Sequence, residues 1–280
     1  MQENQNPLTG YFRKPEIYIK LPTRGKYYRP GSIDLPENGE IGIFPMTAKD
    51  ELLMKTPDAL LNGSGTVEVI KSCVPAIKDP WGIPSLDLDV LLISIRIATY
   101  GNEMEIISSC PKCGVQQNFD VDLGNLIAQS DEWHYHDTLD VNGLTLKFKP
   151  LDYSEMTHES LRQFEESKIM RIVNDESMAD DQKQQLFNDS FMKMTAHTIS
   201  LVSKTIKSIR SPDGNVVEDR KHIQEFIENA DRSIFGAIQE HLEKVRVANG
   251  FQEFEITCDS ENCKNVYKTP IVFDQSNFFG

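Results

Sequence analysis

The chain has 280 residues, 39% of them hydrophobic and 26% charged, and carries a net charge of −14. That length supports a sizeable core in one or two domains. The acidity excludes a protein built to grip phosphate backbones, which needs a basic footprint, and an anionic membrane surface would repel it too. The start, MQENQNPLTGYFRKPE, is polar and lacks the apolar stretch of a secretion signal. The longest apolar run, near Val90 to Ile97, is broken by Ser94 and Arg96 and is too short to span a bilayer. A chain that stays in a reducing cytoplasm is expected, and there clustered cysteines read as metal ligands before disulfides.

Residues 1 to about 16 read as a loose arm with little to bury. Short strands are predicted over Glu16–Leu21 and Glu40–Phe44, with a Pro- and Gly-bearing loop between them. Thr47 is placed to cap a helix whose first turn holds Asp50 and Glu51, and Pro57 ends that helix or starts the next. Gly63-Ser64-Gly65 reads as a linker, and Val67–Val74 as a helix carrying the odd Cys73, a small core residue. Ser85 is expected to cap a helix whose Leu88, Leu91, Leu92, Ile95 and Ala98 share one apolar face, ending at Gly101.

Two strands, Glu103–Ser108 and Gln116–Val121, then flank CPKCG. Trp133–Asp140 and Leu144–Lys149 read as a hairpin about Asn142-Gly143. Helices are expected from Ser154 to about Val173 and from about Asp180 to Lys207, the second with room for an interruption near Asn188 and with the Phe191-Met192-Lys193-Met194 run on a core face. Ser211-Pro212-Asp213-Gly214 is a turn, leading to a short strand that ends at Val217. Helices over Arg220–Glu228 and Asp231–Val247 follow, stopped by Asn249-Gly250. Strands Phe251–Thr257 and Val266–Phe273 flank CDSENC.

The cysteines carry the most chemistry. Cys110 and Cys113 are separated by two residues in a turn between strands, and Gly114 permits the left-handed backbone such a knuckle needs. Cys258 and Cys263 lie in a second inter-strand turn with a four-residue gap, also within the range of zinc ligand pairs. Two facing knuckles would give a zinc ribbon: four thiolates around one structural Zn²⁺ at about 2.3 Å, with no open position for water. The ribbon is split, because a long and mostly helical stretch separates the pairs. Closing so long a loop has an entropic cost that grows slowly with length, and structural zinc can offset it.

Weaker signals read as structure. His134 and His136 share one face of the expected strand, yet no third ligand stands out, so an amphipathic strand is the plainer reading. The chain has no G-x-S-x-G, no Walker loop and no H-E-x-x-H. The terminal Phe278 and Phe279 could anchor in a partner or fold back.

The strings LPTRGKYYRPGSID, GEIGIFPMTAKDELLMKTPDALLNGSG, VIKSCV and DVLLISIRIATYGNEMEIISSCPKCG resemble a baseplate hub subunit of T-even-type contractile-tailed phages. RKHIQEFIENADRSIF and the final NFFG are similar in style to the end of such proteins. The resemblance covers roughly residues 20–124 well and the C-terminal third loosely. It implies a hub subunit or hub assembly protein with other hub or tail proteins as partners. It implies no small-molecule substrate, no catalysis and no catalytic residues.

The expectation is therefore a non-enzymatic α+β protein without nucleic-acid or membrane partners, and with a homo-oligomer left open. Its parts are an extended arm and loop (1–40), a helical region leading into the first knuckle (41–124), a β-hairpin plus helical insertion (125–250), and the second knuckle with the C-terminal tail (251–280). It would work in the host cytoplasm during assembly and in the virion tail baseplate. A zinc-ribbon adaptor acting on a host protein complex is the first alternative, and a metal-dependent hydrolase using His134 and His136 the second.

Overall fold

The structure is a computed structural model that describes residues 8, 11–56, 62–162 and 180–269; of residues 180–183 and 186 only the backbone is described. The chain forms two compact units, one from residues 1–133 and 250–280, the other from His134–Asn249. The mixed α+β architecture expected from the sequence is present.

In the first unit, β1 (Ile17–Lys20) pairs antiparallel with β2 (Glu40–Ile43), and Ile19, Ile41 and Ile43 point into the core. Helix α1 (Ala48–Met54) starts as the sequence predicts. Thr47 accepts from Asp50 N–H, and the Asp50 carboxylate accepts from Thr47 N–H at 2.8 Å, so each orphan donor is satisfied by the other residue. Pro57 lies outside the described residues. The expected linker is instead a helix start: Gly63 takes a left-handed φ of 76° at the N-cap of α2 (Ser64–Cys73), and Gly65 is already buried. Cys73 is a core residue as expected.

Helix α3 (Ser85–Tyr100) departs from its expectation in two ways. Ser85 is its first helical residue, and Pro84 at the N-cap offers no side-chain bond. Val90, Ile93 and Ile97 are buried along with Leu88, Leu91, Leu92, Ile95 and Ala98, so the helix runs through the middle of the core, apolar nearly all round. Its Asp87 is fully buried and accepts from the Thr23 N–H at 2.9 Å and the Thr23 hydroxyl at 2.5 Å, which ties the loop after β1 to the helix.

The strands β3 (Glu103–Ser109) and β4 (Gln116–Asp122) form an antiparallel hairpin, with Ser109 opposite Gln116 at its tip. Helix α4 (Leu123–Ser130) follows directly, capped by Asp122 and buried through Leu123 and Leu126. Far along the chain, β9 (Phe254–Thr257) and β10 (Val266–Thr269) form the matching hairpin.

The second unit holds a four-stranded antiparallel sheet of β5 (Thr138–Val141), β6 (Leu144–Phe148), β7 (Ile206–Arg210) and β8 (Val216–Val217), in that order. Asn142 and Gly143 both have positive φ, 48° and 78°, as a tight two-residue hairpin requires. The expected strand before that turn is shorter: residues 133–137 are irregular, and His134 and His136 are exposed on a loop and share no strand face. Tyr135 between them packs against the core.

Helix α5 covers 153–162 of the described residues and begins with a reciprocal cap between Asp152 and Glu155; its expected extension to Val173 lies outside them. Helix α6 (Asp180–Thr205) runs without a loop into β7, two residues earlier than predicted, because Ile206 and Ile209 pair with β6 as a strand. Helices α7 (Arg220–Asn229) and α8 (Arg232–Ala248) are capped by Asp219 and Asp231. Ile223, Ile227, Ile234 and Ile238 close over Leu146, Phe148, Ile206 and Ile209 to make this unit's core. Among the described residues, α6 joins that core through Ile199 and Val202. The run expected on a core face is exposed instead: Phe191 (61%), Met192 (68%) and Met194 (48%) all lie before the packed turns.

Candidate metal centre

The two ribbon hairpins are built alike. At the first tip, the Cys110 N–H donates to the Val115 carbonyl at 2.9 Å, and the Gly114 N–H donates to the Cys110 carbonyl at 2.8 Å. At the second, the Cys258 N–H donates to the Asn265 carbonyl at 2.9 Å, and the N–H groups of Cys263 and Lys264 donate to the Ser260 carbonyl at 3.0 and 3.2 Å. The residue after the second cysteine is left-handed in both, Gly114 at φ 73° and Lys264 at φ 45°. The two extra residues of the second turn are absorbed before that point, and the cysteines still face the same way.

The fold brings together all four cysteines singled out from spacing. Their sulfurs lie within 4.8 Å of one another, although Cys113 and Cys258 are 145 positions apart. The contacts cross between hairpins: Cys110 Sγ to Cys263 Sγ is 3.9 Å, and Cys113 Sγ to Cys258 Sγ is 3.6 Å. A disulfide needs about 2.05 Å, so these are four separate thiols. A tetrahedron of sulfurs at about 2.3 Å from one metal has edges of about 3.8 Å, and the two cross-hairpin distances, 3.9 and 3.6 Å, lie close to that edge.

The immediate surroundings fit the same geometry. Cys110 and Cys258 are buried, with Ile256, Tyr267, Phe119 and Phe254 packed around them; Cys263 is half-buried and Cys113 exposed. Phe119 and Phe254 meet as a tilted ring pair across the two hairpins, centroids 6.2 Å apart. Desolvation works against ionising Cys110, but the backbone N–H groups of Cys113 and Lys112, with neighbouring thiols, bring it down to about 6. For Cys258 the Ser260 N–H favours the thiolate, yet desolvation and the adjacent sulfurs outweigh it and push the group up to about 12. Cys263 is raised for the same reasons, against the Asn265 N–H. Beside Cys110, then, Cys258 and Cys263 resist becoming thiolates, because like charges gathered at one point disfavour each other. Four converging sulfurs are the donor set of a soft or borderline divalent metal.

Among the described residues, these cysteines are the one group of three or more metal-ligating side chains close enough to share an ion. His134 and His136 are not in it; the His136 carbonyl instead accepts from His241 Nε2 at 3.0 Å. What the cysteine spacing does not reveal is Gln117, whose buried amide links the two hairpins. A lone Gln on a strand carries no sequence signal. Phe278 and Phe279 lie outside the described residues.

The two left-handed positions give a paired expectation. A Cβ on Gly114 meets nothing within 4 Å, so Gly114→Ala costs only the backbone strain, about 1 kcal/mol in chemical denaturation. Lys264 already carries that strain, so Lys264→Gly should have the opposite sign by a similar or smaller amount. Equal effects of one sign would show that the two knuckles are not equivalent turns.

Fold and site together define an α+β protein with a split, zinc-ribbon-like cysteine cluster. Residues 18–280 match the family model described as T4 bacteriophage base plate protein, and the chain belongs to that family. No curated protein and no solved structure matches it. No helix among the described residues is long and apolar enough to cross a membrane.

Proposed function

We propose that this chain is a structural subunit or assembly factor of the tail baseplate hub, acting through contacts with other hub and tail proteins and without catalysis. The family match over residues 18–280 carries the reading, since a baseplate is an assembly of proteins. The donor set supports a structural role for the metal. Cys110, Cys113, Cys258 and Cys263 would hold one Zn²⁺ with all four positions filled by sulfur, leaving none for a water nucleophile. The ion would fasten the two ends of the segment that lies between the hairpins. The protein would act in the host cytoplasm while tails form and in the finished baseplate. The four parts expected from the sequence, 1–40, 41–124, 125–250 and 251–280, are proposed as its working divisions, and self-association as a further contact.

The test is genetic and structural together. In a phage that carries this chain, deleting its gene should abolish plaques and leave heads without complete baseplates, as seen by electron microscopy. Supplying the intact chain from a plasmid should restore tails; supplying the Cys258→Ser form should not. Normal tails without the gene would overturn the proposal.

A further inference from the structure

We propose that Gln117 is the positioning residue of the four-sulfur site, holding the second knuckle against the first so that the cage is set before a metal arrives. The inference rests on the metal reading above and adds a residue outside the ligand set.

Gln117 lies on β4, seven residues beyond Cys110, and is 8% exposed. Its amide makes two bonds, both to the other hairpin. Nε2 donates to the Thr257 carbonyl at 3.0 Å, and Oε1 accepts from the Asp259 N–H at 2.9 Å. Those two backbone groups flank Cys258 on either side. The side chain therefore grips the ligand's own peptide units, as a neighbouring strand would, though no strand is paired there. One amide donor and one amide acceptor are both used, so the grip fixes direction as well as distance.

Val115 and Asn265 hold equivalent places, each accepting from the first cysteine of its turn. Two residues further on, the first hairpin has Gln117 and the second has Tyr267, which packs beside Cys110 and Cys258. The equivalent positions thus do different work: Tyr267 fills the apolar space, and Gln117 supplies directional bonds. Asn265 adds a weaker link back, its Nδ2 lying 3.9 Å from Cys110 Sγ. The hairpins have no other tie in sequence, because their nearest cysteines are 145 positions apart. Partners that orient metal ligands typically change metal affinity about 10- to 100-fold when removed.

The test uses the full chain with Gln117→Met, which keeps length and loses both bonds, and Gln117→Glu, which keeps an acceptor for the Asp259 N–H and loses the donor to Thr257. Zinc affinity is read by competition with a chromophoric chelator, and coordination by the absorption of the Co²⁺ form. The expected result is one metal per chain with an unchanged four-thiolate Co²⁺ spectrum in each variant. Zinc affinity should fall about 10- to 100-fold and chelator-driven release should be faster. If Gln117→Met folds poorly, Gln117→Glu tests the Thr257 half of the grip, with a fall at the lower end of that range. Affinity within about twofold of the parent in a folded variant would overturn the inference and leave the zinc reading intact. A parent chain that takes up no zinc would overturn both.

Discussion

Replacing Cys258 with Ser, or stripping metal with a chelator, should lower stability by about 6 kcal/mol or more and release the ribbon. The size follows from two opposing quantities. Structural zinc contributes about 10–16 kcal/mol of apparent binding energy in small peptides at neutral pH. Against this stands the entropy of closing a loop of 145 positions, about 4 kcal/mol beyond a constant. The remainder is large relative to the stability of an ordinary domain. The loss should also be local. Strands β9 and β10 form a two-stranded sheet of four residues each, too small to persist alone in water. Hydrogen exchange should show their amides unprotected in the Cys258→Ser chain. The core of the second unit, around Phe148, Ile206 and Ile238, should stay protected. Acid should mimic the chelator, because protons compete for the same sulfurs. An unchanged exchange pattern in β9 and β10 would contradict this.

The second large effect is expected at Asp87. Its carboxylate accepts two bonds from Thr23 inside the core, beside the buried hydroxyl of Tyr28. Asp87→Ala leaves the Thr23 donors without an acceptor and opens a small void. A cost of about 3 kcal/mol is expected, since hydrogen bonds to a charged group are worth roughly 1.5–3 kcal/mol each and the removed charge was itself costly to bury. The pH dependence gives a separate check. Desolvation outweighs the Thr23 bonds and raises this carboxyl from 3.8 to about 6. A raised folded-state value means that the folded chain binds more protons than the unfolded one between about pH 4 and pH 6. Stability from this group is therefore present at the acid end and declines as pH rises through that window. Asp87→Asn should remove that slope while costing less than Asp87→Ala. A slope unchanged in Asp87→Asn would show that other groups produce it.

Much of the site was legible because its chemistry is local in sequence. A two- or four-residue gap between cysteines, flanked by alternating strands, constrains where the sulfurs can point, and the fold joins the halves. Thr47 with Asp50 and Asn142 with Gly143 were legible for the same reason, since each motif satisfies its own backbone within four residues. The misreadings arise where long-range packing decides. Helix α3 looked one-faced because Val90, Ile93 and Ile97 find their partners elsewhere in the chain. Ile206 and Lys207 read as the end of a helix because β6, which takes Ile206–Arg210 as a strand partner, lies far back along the chain. Helix α4 was not anticipated at all: its eight residues give too short a period to read, and burial of Leu123 and Leu126 makes it. Gln117 belongs to the same group, because its meaning depends on a hairpin far along the chain.

The central claim is that one zinc, held by two distant cysteine pairs, closes this baseplate protein. The most direct measurement is the metal content of the purified full chain by native mass spectrometry, beside the Cys110→Ser and Cys258→Ser variants. The account predicts one zinc per chain in the parent and loss of the whole ion in either variant, since each hairpin supplies only half the ligands. Metal-free parent protein, or an ion retained when one hairpin's cysteine is removed, would contradict it.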